Sequence, residues 1–273
     1  MSVADVNGAR LWYEVAGEGP AVVFVHEGIG DSRLWDDQWA EASVHFRAVR
    51  YDQRGFGRSD LPGGPFSYAG DLRALLDRLE ISHAALVGGS LGADAATQLA
   101  ILEPERVTAL VVAPPGVVGA ERSQLLRAFS EAEEAAWDRD DVDETVRLNL
   151  DLWLAGPRRS LDAVNPAIVD RVDEMIRRAF ELDAAAYARE PEPKHERLVE
   201  DLGDRLGEIR APTLVVMGDE DVSDIVESAS TIATAVPGAR KVVMHDVAHA
   251  PNVERPDEFN RVVFGFLDQV LSG

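Results

Sequence analysis

Apolar positions along this chain fall into two kinds of pattern. Short runs at 11–15 (LWYEV), 21–26 (AVVFVH), 46–50 (FRAVR), 84–88 (AALVG), 107–113 (VTALVVA), 212–217 (PTLVVM) and 240–245 (RKVVMH) have the composition of strands. Several are continuously apolar and β-branched, as a strand is when both its faces are covered in a parallel sheet. Between them, 66–80, 91–103, 222–236 and 256–271 carry apolar residues at helical spacing. The alternation predicts an α/β fold with a mostly parallel central sheet flanked by helices. At Asn7-Gly8 the signal changes, because that pair favours the tight turn of an antiparallel hairpin.

The alternation stops between residues 120 and 206. SQLLRAFSEAEEAAW, ETVRLNLDLWLA and NPAIVDRVDEMIRRAFELDAAAYA read as helices, with breaks at Gly156-Pro157 and Pro191–Pro193. Residues 121–205 hold 22 acidic and 13 basic side chains, too many charges for strands buried in a parallel sheet. They suit helices with wet outer faces laid over something else. Residues 1–119 and 207–273 are therefore expected to form the core domain, and 120–206 a helical cap, or lid, inserted between two strands.

Composition narrows the function classes. With 49 acidic against 27 basic residues, the formal charge of −22 disfavours nucleic acid and anionic membranes as partners, since both need concentrated positive potential. No apolar run approaches the roughly 20 residues of a membrane span. The start, MSVADVNGAR, lacks the basic and apolar parts of a signal peptide, so a cytoplasmic location is expected. There is no cysteine, which removes thiolate nucleophiles, disulfides and cysteine metal sites together. The glycine-rich runs at 28–30 and 88–92 lack the G-x-G-x-x-G spacing, and no metal-ligand cluster is visible, so no cofactor is expected. The expected partner is a small-molecule substrate; self-association into a homo-oligomer is left open.

Candidate chemistry centres on Gly88-Gly89-Ser90-Leu91-Gly92, which follows a strand-like run and precedes a helical pattern. This is the G-x-S-x-G nucleophile elbow, in which a strained strand-to-helix turn presents the serine. A serine hydroxyl needs a base to take its proton and an acid to hold that base. In this architecture the partners follow in the order serine, acid, histidine. The chain offers Gly218-Asp219-Glu220-Asp221 after TLVVM, and His249 on the loop after KVVMH. Either Asp219 or Asp221 fits that order. His245, at a strand end, reads as a packed structural residue, while His45, His83 and His195 show no motif.

The segments YEVAGEGPAVVFVH, YDQRGFGRSD, GGSLGA, PTLVVMGDEDV and AHAPNVERPDEFN, in this order and spacing, resemble the α/β-hydrolase superfamily, in its branch with a helical cap. With the upstream segment from His26 to Trp35, HEGIGDSRLW, the run from Tyr51 to Ile81 is similar to 3-oxoadipate enol-lactonases, and carboxylesterases share most of it. The resemblance implies Ser90 as nucleophile, His249 as general base and Asp221, the last of the four, as its orienting acid. It implies an oxyanion hole from the Leu91 N–H and the Gly28 N–H, each such donor contributing about 3–4 kcal/mol elsewhere. Glu27 stands where the family usually has glycine. Its carboxylate either points to solvent or bonds a neighbouring N–H, or it faces the pocket and helps bind substrate. Trp35 reads as loop packing. Trp137, Leu148, Leu152, Trp153, Met175 and Phe180 offer apolar surface for a pocket or a core, with Trp153 a candidate substrate contact. Arg158-Arg159 and Arg177-Arg178 are candidates to compensate an anionic substrate. The expected activity is that of a serine esterase or lactonase acting through an acyl-enzyme. Enol-lactonase, C–C bond hydrolase, perhydrolase and non-catalytic ligand binder are the alternatives.

Overall fold

A computed structural model describes residues 2–119 and 121–272. Residue 120, the expected start of the insertion, lies outside the described residues. The strands in chain order are β1 Ser2–Val6, β2 Ala9–Ala16, β3 Ala21–Val25, β4 Arg47–Tyr51, β5 Gly64–Phe66, β6 Ala84–Gly88, β7 Val107–Val112, β8 Pro193–His195, β9 Thr213–Gly218 and β10 Arg240–Met244. Eight of them form one sheet in the order β1-β2-β4-β3-β6-β7-β9-β10. Strands β4, β3, β6, β7, β9 and β10 are mutually parallel, while β2 runs antiparallel to both its neighbours. Asn7 and Gly8 both take positive φ, 46° and 77°, and turn the β1–β2 hairpin as the sequence predicts.

Every residue of β6 and β9 is buried. Alternate residues face opposite layers, the two-residue period of a strand covered on both sides. Val23, Val25, Leu86, Leu110, Val112, Val215 and Met217 pack in one core with Leu72, Leu75, Leu99 and Ile232. Val22, Phe24, Ala85, Val87, Val111, Leu214 and Val216 pack in the other with Trp35, Phe259, Phe264 and Leu267. Helices Tyr68–Arg78, Leu91–Leu102 and Ser223–Ala235 thus cover one face; Asp36–His45 and Pro256–Leu271 cover the other. Helix Asp36–His45 has few buried positions, and its weak periodicity hid it from the sequence reading.

Between β7 and β9 the chain leaves the sheet. Helices Gln124–Trp137, Val142–Asn149 and Pro166–Tyr187 are joined by a π-helical stretch, Leu150–Ala155. Val146, Leu150, Leu154, Val172, Met175 and Ile176 pack there with Leu34, Ala250 and Val253 from the core loops. The returning strap is tied down before it reaches β9. Strand β8 pairs with β5, and the Gln98 side-chain carbonyl accepts the N–H groups of Leu198 and Val199 at 2.7 and 3.0 Å. Val199, Leu202 and Leu206 then join the main core, so packing against the sheet resumes earlier than the expected boundary at 206. Short strands with few apolar residues carry no periodicity, which is why β5 and β8 are missed from sequence.

His245 departs from its expected role. Just beyond the edge strand β10, its side chain is 80 % exposed and hydrogen-bonds Asp219 at 2.8 Å. Among the described residues no strand pairs with the outer edge of β10.

A buried ion pair joins the loop that follows β4 to helix Tyr68–Arg78, and Asn7 of the hairpin bonds both partners. Arg54 Nε donates to Asp71 Oδ2 at 2.7 Å and its Nη2 to Oδ1 at 2.9 Å and the Asn7 carbonyl at 3.1 Å, while Asn7 Nδ2 also donates to Asp71 Oδ1. Both charges are buried, so losing one strands the other. Asp71→Ala is expected to lower the unfolding free energy by about 3–5 kcal/mol in urea titrations; a loss below about 1 kcal/mol would mean Arg54 finds water instead.

Candidate active site

Strand β6 ends at Gly88 and the helix Leu91–Leu102 begins three residues later. Between them Ser90 takes φ 48° and ψ −109°, a strained conformation for a residue with a side chain, of order 1–3 kcal/mol. Its surroundings hold it there. The Ser90 N–H donates to the Pro114 carbonyl at 2.8 Å, Gly89 N–H to the Val25 carbonyl at 3.1 Å, and Asp94 N–H to the Ser90 carbonyl at 3.0 Å. A Cβ on Gly92 would collide with the Val25 and His26 carbonyl oxygens, so only glycine lets the helix start this close to β3.

The two acids that sequence order left open are separated by the fold. Asp219 turns to the surface, where it accepts from His245 and from the Asp246 N–H at 2.8 Å. Asp221 is buried, its Oδ2 lying 2.7 Å from His249 Nδ1, while its Oδ1 accepts the Val222 N–H at 2.8 Å. His249 is buried as well, its N–H bonded to the Trp153 carbonyl at 3.1 Å and its ring 4.7 Å from the Trp153 ring. Burial works to lower the His249 pKa, but the Asp221 charge and hydrogen bond, with the Glu27 carboxyl adding, raise it above the ordinary value. Ser90 and His249 line the same cavity.

The loop after β3 is fixed from below. Gln53 N–H donates to His26 Nε2 at 2.9 Å, so Nδ1 carries the ring proton and donates to the Glu27 carbonyl at 2.7 Å; Gln53 Nε2 donates to the His26 carbonyl. This explains the Tyr51–Asp60 run: it braces the loop that carries Gly28. A Cβ on Gly28 would lie 3.7 Å from the Leu91 Cβ, so the two residues expected to supply oxyanion donors are neighbours. Leu91 opens its helix, where the first N–H groups have no partner within the helix.

A model of the alpha/beta hydrolase fold family matches residues 20–256. The chain belongs to that family. The chain is 27 % identical to the 2-hydroxy-6-oxo-6-phenylhexa-2,4-dienoate hydrolase of Comamonas testosteroni, over 98 % of this chain and 95 % of that one. Among solved structures, the N-acyl homoserine lactone degrading enzyme Est816 superposes with a TM-score of 0.76 at 28 % identity, covering 97 % of this chain and 100 % of that one. The enol-lactonase of Burkholderia xenovorans superposes with a TM-score of 0.79 at 25 % identity, covering 97 % and 99 %. Two of these relatives are lactone-degrading enzymes and one is a dienoate hydrolase.

In this alpha/beta hydrolase the candidate site has two adjoining chambers. The first, about 450 Å³, is lined by Ser90 and His249 together with Trp153, Phe129, Arg122 and Arg197. Gly28, Ile29, Ser130, Glu133 and Asn149 also border the second, of about 360 Å³, walled by Phe56, Trp137, Phe180, Tyr187, Glu134 and Asp183. Burial and then the Glu133 carboxylate push Asp183 up to about 6. Of the apolar candidates from sequence, Trp153, Trp137 and Phe180 reach a chamber, Leu152 and Met175 are in apolar cores, and Leu148 lines neither chamber; Trp35, expected as loop packing, is buried in a core. The candidate arginines lie elsewhere. Arg158 pairs with Glu220, Arg159 with Glu254, Arg177 with Asp143 and Asp173, and Arg178 with Glu181. Arg122 and Arg197, which sequence reasoning passed over, take their place at the cavity; Arg197 is held by Asp94 at 2.7 Å. The π-helix that carries Trp153 was equally invisible, since a one-residue change in hydrogen-bond register leaves no mark on composition. Among the described residues no group of three or more His, Asp and Glu side chains is arranged to hold a metal ion.

Glu27 matches none of its expected roles. It is 1 % exposed, is absent from the lining of both chambers, and neither carboxylate oxygen has a hydrogen-bond partner. The bulk of its side chain takes it under Gly89, where an added Cβ would come within 2.6 Å of Glu27 Cγ and 2.8 Å of Oε1. Gly89→Ala is therefore expected to destabilise by about 1–3 kcal/mol through overpacking. Combining it with Glu27→Gly should recover about 0.5 kcal/mol or more of that loss in a double-mutant cycle read by thermal unfolding; strict additivity would show that the two side chains do not meet.

Proposed function

We propose that this hydrolase cleaves a small carboxylic ester or lactone through an acyl-enzyme on Ser90. The observation that carries the reading is the buried Asp221–His249 pair at 2.7 Å, facing the cavity that Ser90 enters from its strained turn. His249 Nε2 takes the proton of Ser90 Oγ as that oxygen attacks the carbonyl carbon. The carbonyl π electrons move onto oxygen, which the Gly28 and Leu91 N–H groups receive. Collapse expels the alkoxide, protonated by the His249 imidazolium. Water then attacks the acyl-enzyme by the same route, returning Ser90 and releasing the acid. Asp221 holds Nδ1–H throughout and stabilises the imidazolium.

The chambers bear on the substrate. Glu133, Glu134 and Asp183 line the second one with no lysine or arginine among the described residues, so a free carboxylate there meets like charge. The two cavity arginines lie in the first chamber, with Ser90 and His249. A neutral acyl group suits the second chamber, which favours a neutral ester or lactone over an enol-lactone carrying a carboxylate. Carbon–carbon bond hydrolysis is the second reading, supported by the dienoate hydrolase of Comamonas testosteroni.

Fluorophosphonate labelling read by intact-protein mass spectrometry should give one adduct on the wild type and none on Ser90→Ala; a folded, unlabelled wild type would favour a ligand-binding role. Once a substrate is found among neutral esters, lactones, carboxylated enol-lactones and dienoates, Asp221→Asn should lower kcat by about 10⁴-fold. Activity should fall as pH drops through the His249 pKa, which lies above the ordinary histidine value because Asp221 favours the imidazolium. Preference for the dienoates would replace the ester reading with the second.

A further inference from the structure

The acyl-transfer sequence leaves Glu27 without a task, and its surroundings are unusual for a glutamate. Both carboxylate oxygens are sealed from water, and among the described residues neither has a hydrogen-bond donor in reach. The side chain is pressed against Gly89, the residue before the nucleophile, and its own backbone leads directly into Gly28. The charged groups that face it are His249 and Asp221, on the loops after β10 and β9. His26, next to it in the chain, is occupied by Gln53 and the Glu27 carbonyl. A carboxylate sealed in this way is costly, and the economical state is the undissociated acid. Burial pushes the Glu27 carboxyl up to about 8, with His249 opposing the rise and Asp221 adding to it.

We propose that Glu27 is a positioning residue that works as a neutral carboxylic acid: undissociated, it supports Gly89 and the elbow from beneath, and once ionised it disables the site. The inference rests on the reading of Ser90 as an activated nucleophile. When the acid gives its proton to solvent, the negative charge that remains has no donor and lies behind Ser90. It opposes the oxyanion that the neighbouring Gly28 amide has to receive, and it draws water into the packing that holds the turn. The site then works between two limits: His249 must be deprotonated and Glu27 protonated, which makes a bell-shaped pH profile.

The rate of fluorophosphonate labelling reads this without a known substrate. For the wild type, the rate should rise with His249 deprotonation and then fall about tenfold as pH passes from one unit below to one unit above the Glu27 midpoint of about 8. Glu27→Gln, which keeps the shape and cannot ionise, should show no alkaline fall. Glu27→Ala should also lack the fall and should label more slowly than Glu27→Gln at neutral pH, because the support under Gly89 is gone. Infrared difference spectra add a direct readout: the wild type should show a protonated-carboxyl band at pH 7 that is absent from Glu27→Gln and fades as pH rises through about 8. An alkaline limb shared by all three proteins, or a Glu27 band that disappears in the ordinary carboxylate range, overturns the inference. A wild type that takes no label while the infrared titration behaves as described overturns the acyl-enzyme reading and, with it, the catalytic part of this one, leaving only the neutral acid.

Discussion

The site depends on one constraint, the common direction of β3, β6, β9 and β10. Parallel strands deliver their C-terminal ends to a single edge of the sheet, where open α/β sheets form their crevices. Residues 26–28, Ser90, Asp221 and His249 follow those four ends, although up to 223 positions of sequence separate them. Register does the fine placement. Val25 pairs with Gly88, and Met244 with Gly218, so the loops leave level with one another. The strained turn at Ser90 persists because the sheet beneath it and the carbonyls of Val25 and Pro114 fix the backbone on both sides.

The inserted helices are attached by their arginines. Arg159 pairs with the buried Glu254 and donates to the carbonyls of Leu154, Ala155 and Asp246, fastening the π-helical stretch to the histidine loop. Arg171 reaches Asp37 and Arg33 reaches Glu174 across the same junction. The exposed pairs contribute little each, whereas Arg159–Glu254 is shielded. Basic side chains that a charge count would offer to an anionic substrate are thus spent on holding the roof in place. The roof in turn gives the two chambers unlike linings, with Arg122 and Arg197 in the one that Ser90 enters and Glu134 and Asp183 in the other.

Burial also separates side chains of the same kind. Asp219 and Asp221 are two residues apart in one loop, and one meets solvent and His245 while the other is sealed against His249. Glu27 and Glu254 are both enclosed, but Glu254 has Arg159 and the Ala248 N–H as partners, and Glu27 has neither. The same side chain is an anchor in one place and an unsolvated acid in the other. The difference is the number of donors within reach.

The sequence by itself determined the α/β alternation, the opening hairpin and the existence of an insertion, because these are written in local periodicity and turn chemistry. The candidates Ser90 and His249, and a choice between Asp219 and Asp221, were legible too, since the elbow needs its glycines and each partner must follow a strand end. The resemblance to known hydrolases separated Asp221 from Asp219, and the fold supplies the physical reason. Only the tertiary structure decided where Glu27 points, that His245 is exposed at a sheet edge, and that Arg122 and Arg197 reach the cavity while Arg158, Arg159, Arg177 and Arg178 do not. Such outcomes rest on contacts between residues far apart in the chain. A periodic pattern shows that a helix has an apolar face, but the neighbours that meet its polar face are fixed only when the chain closes on itself.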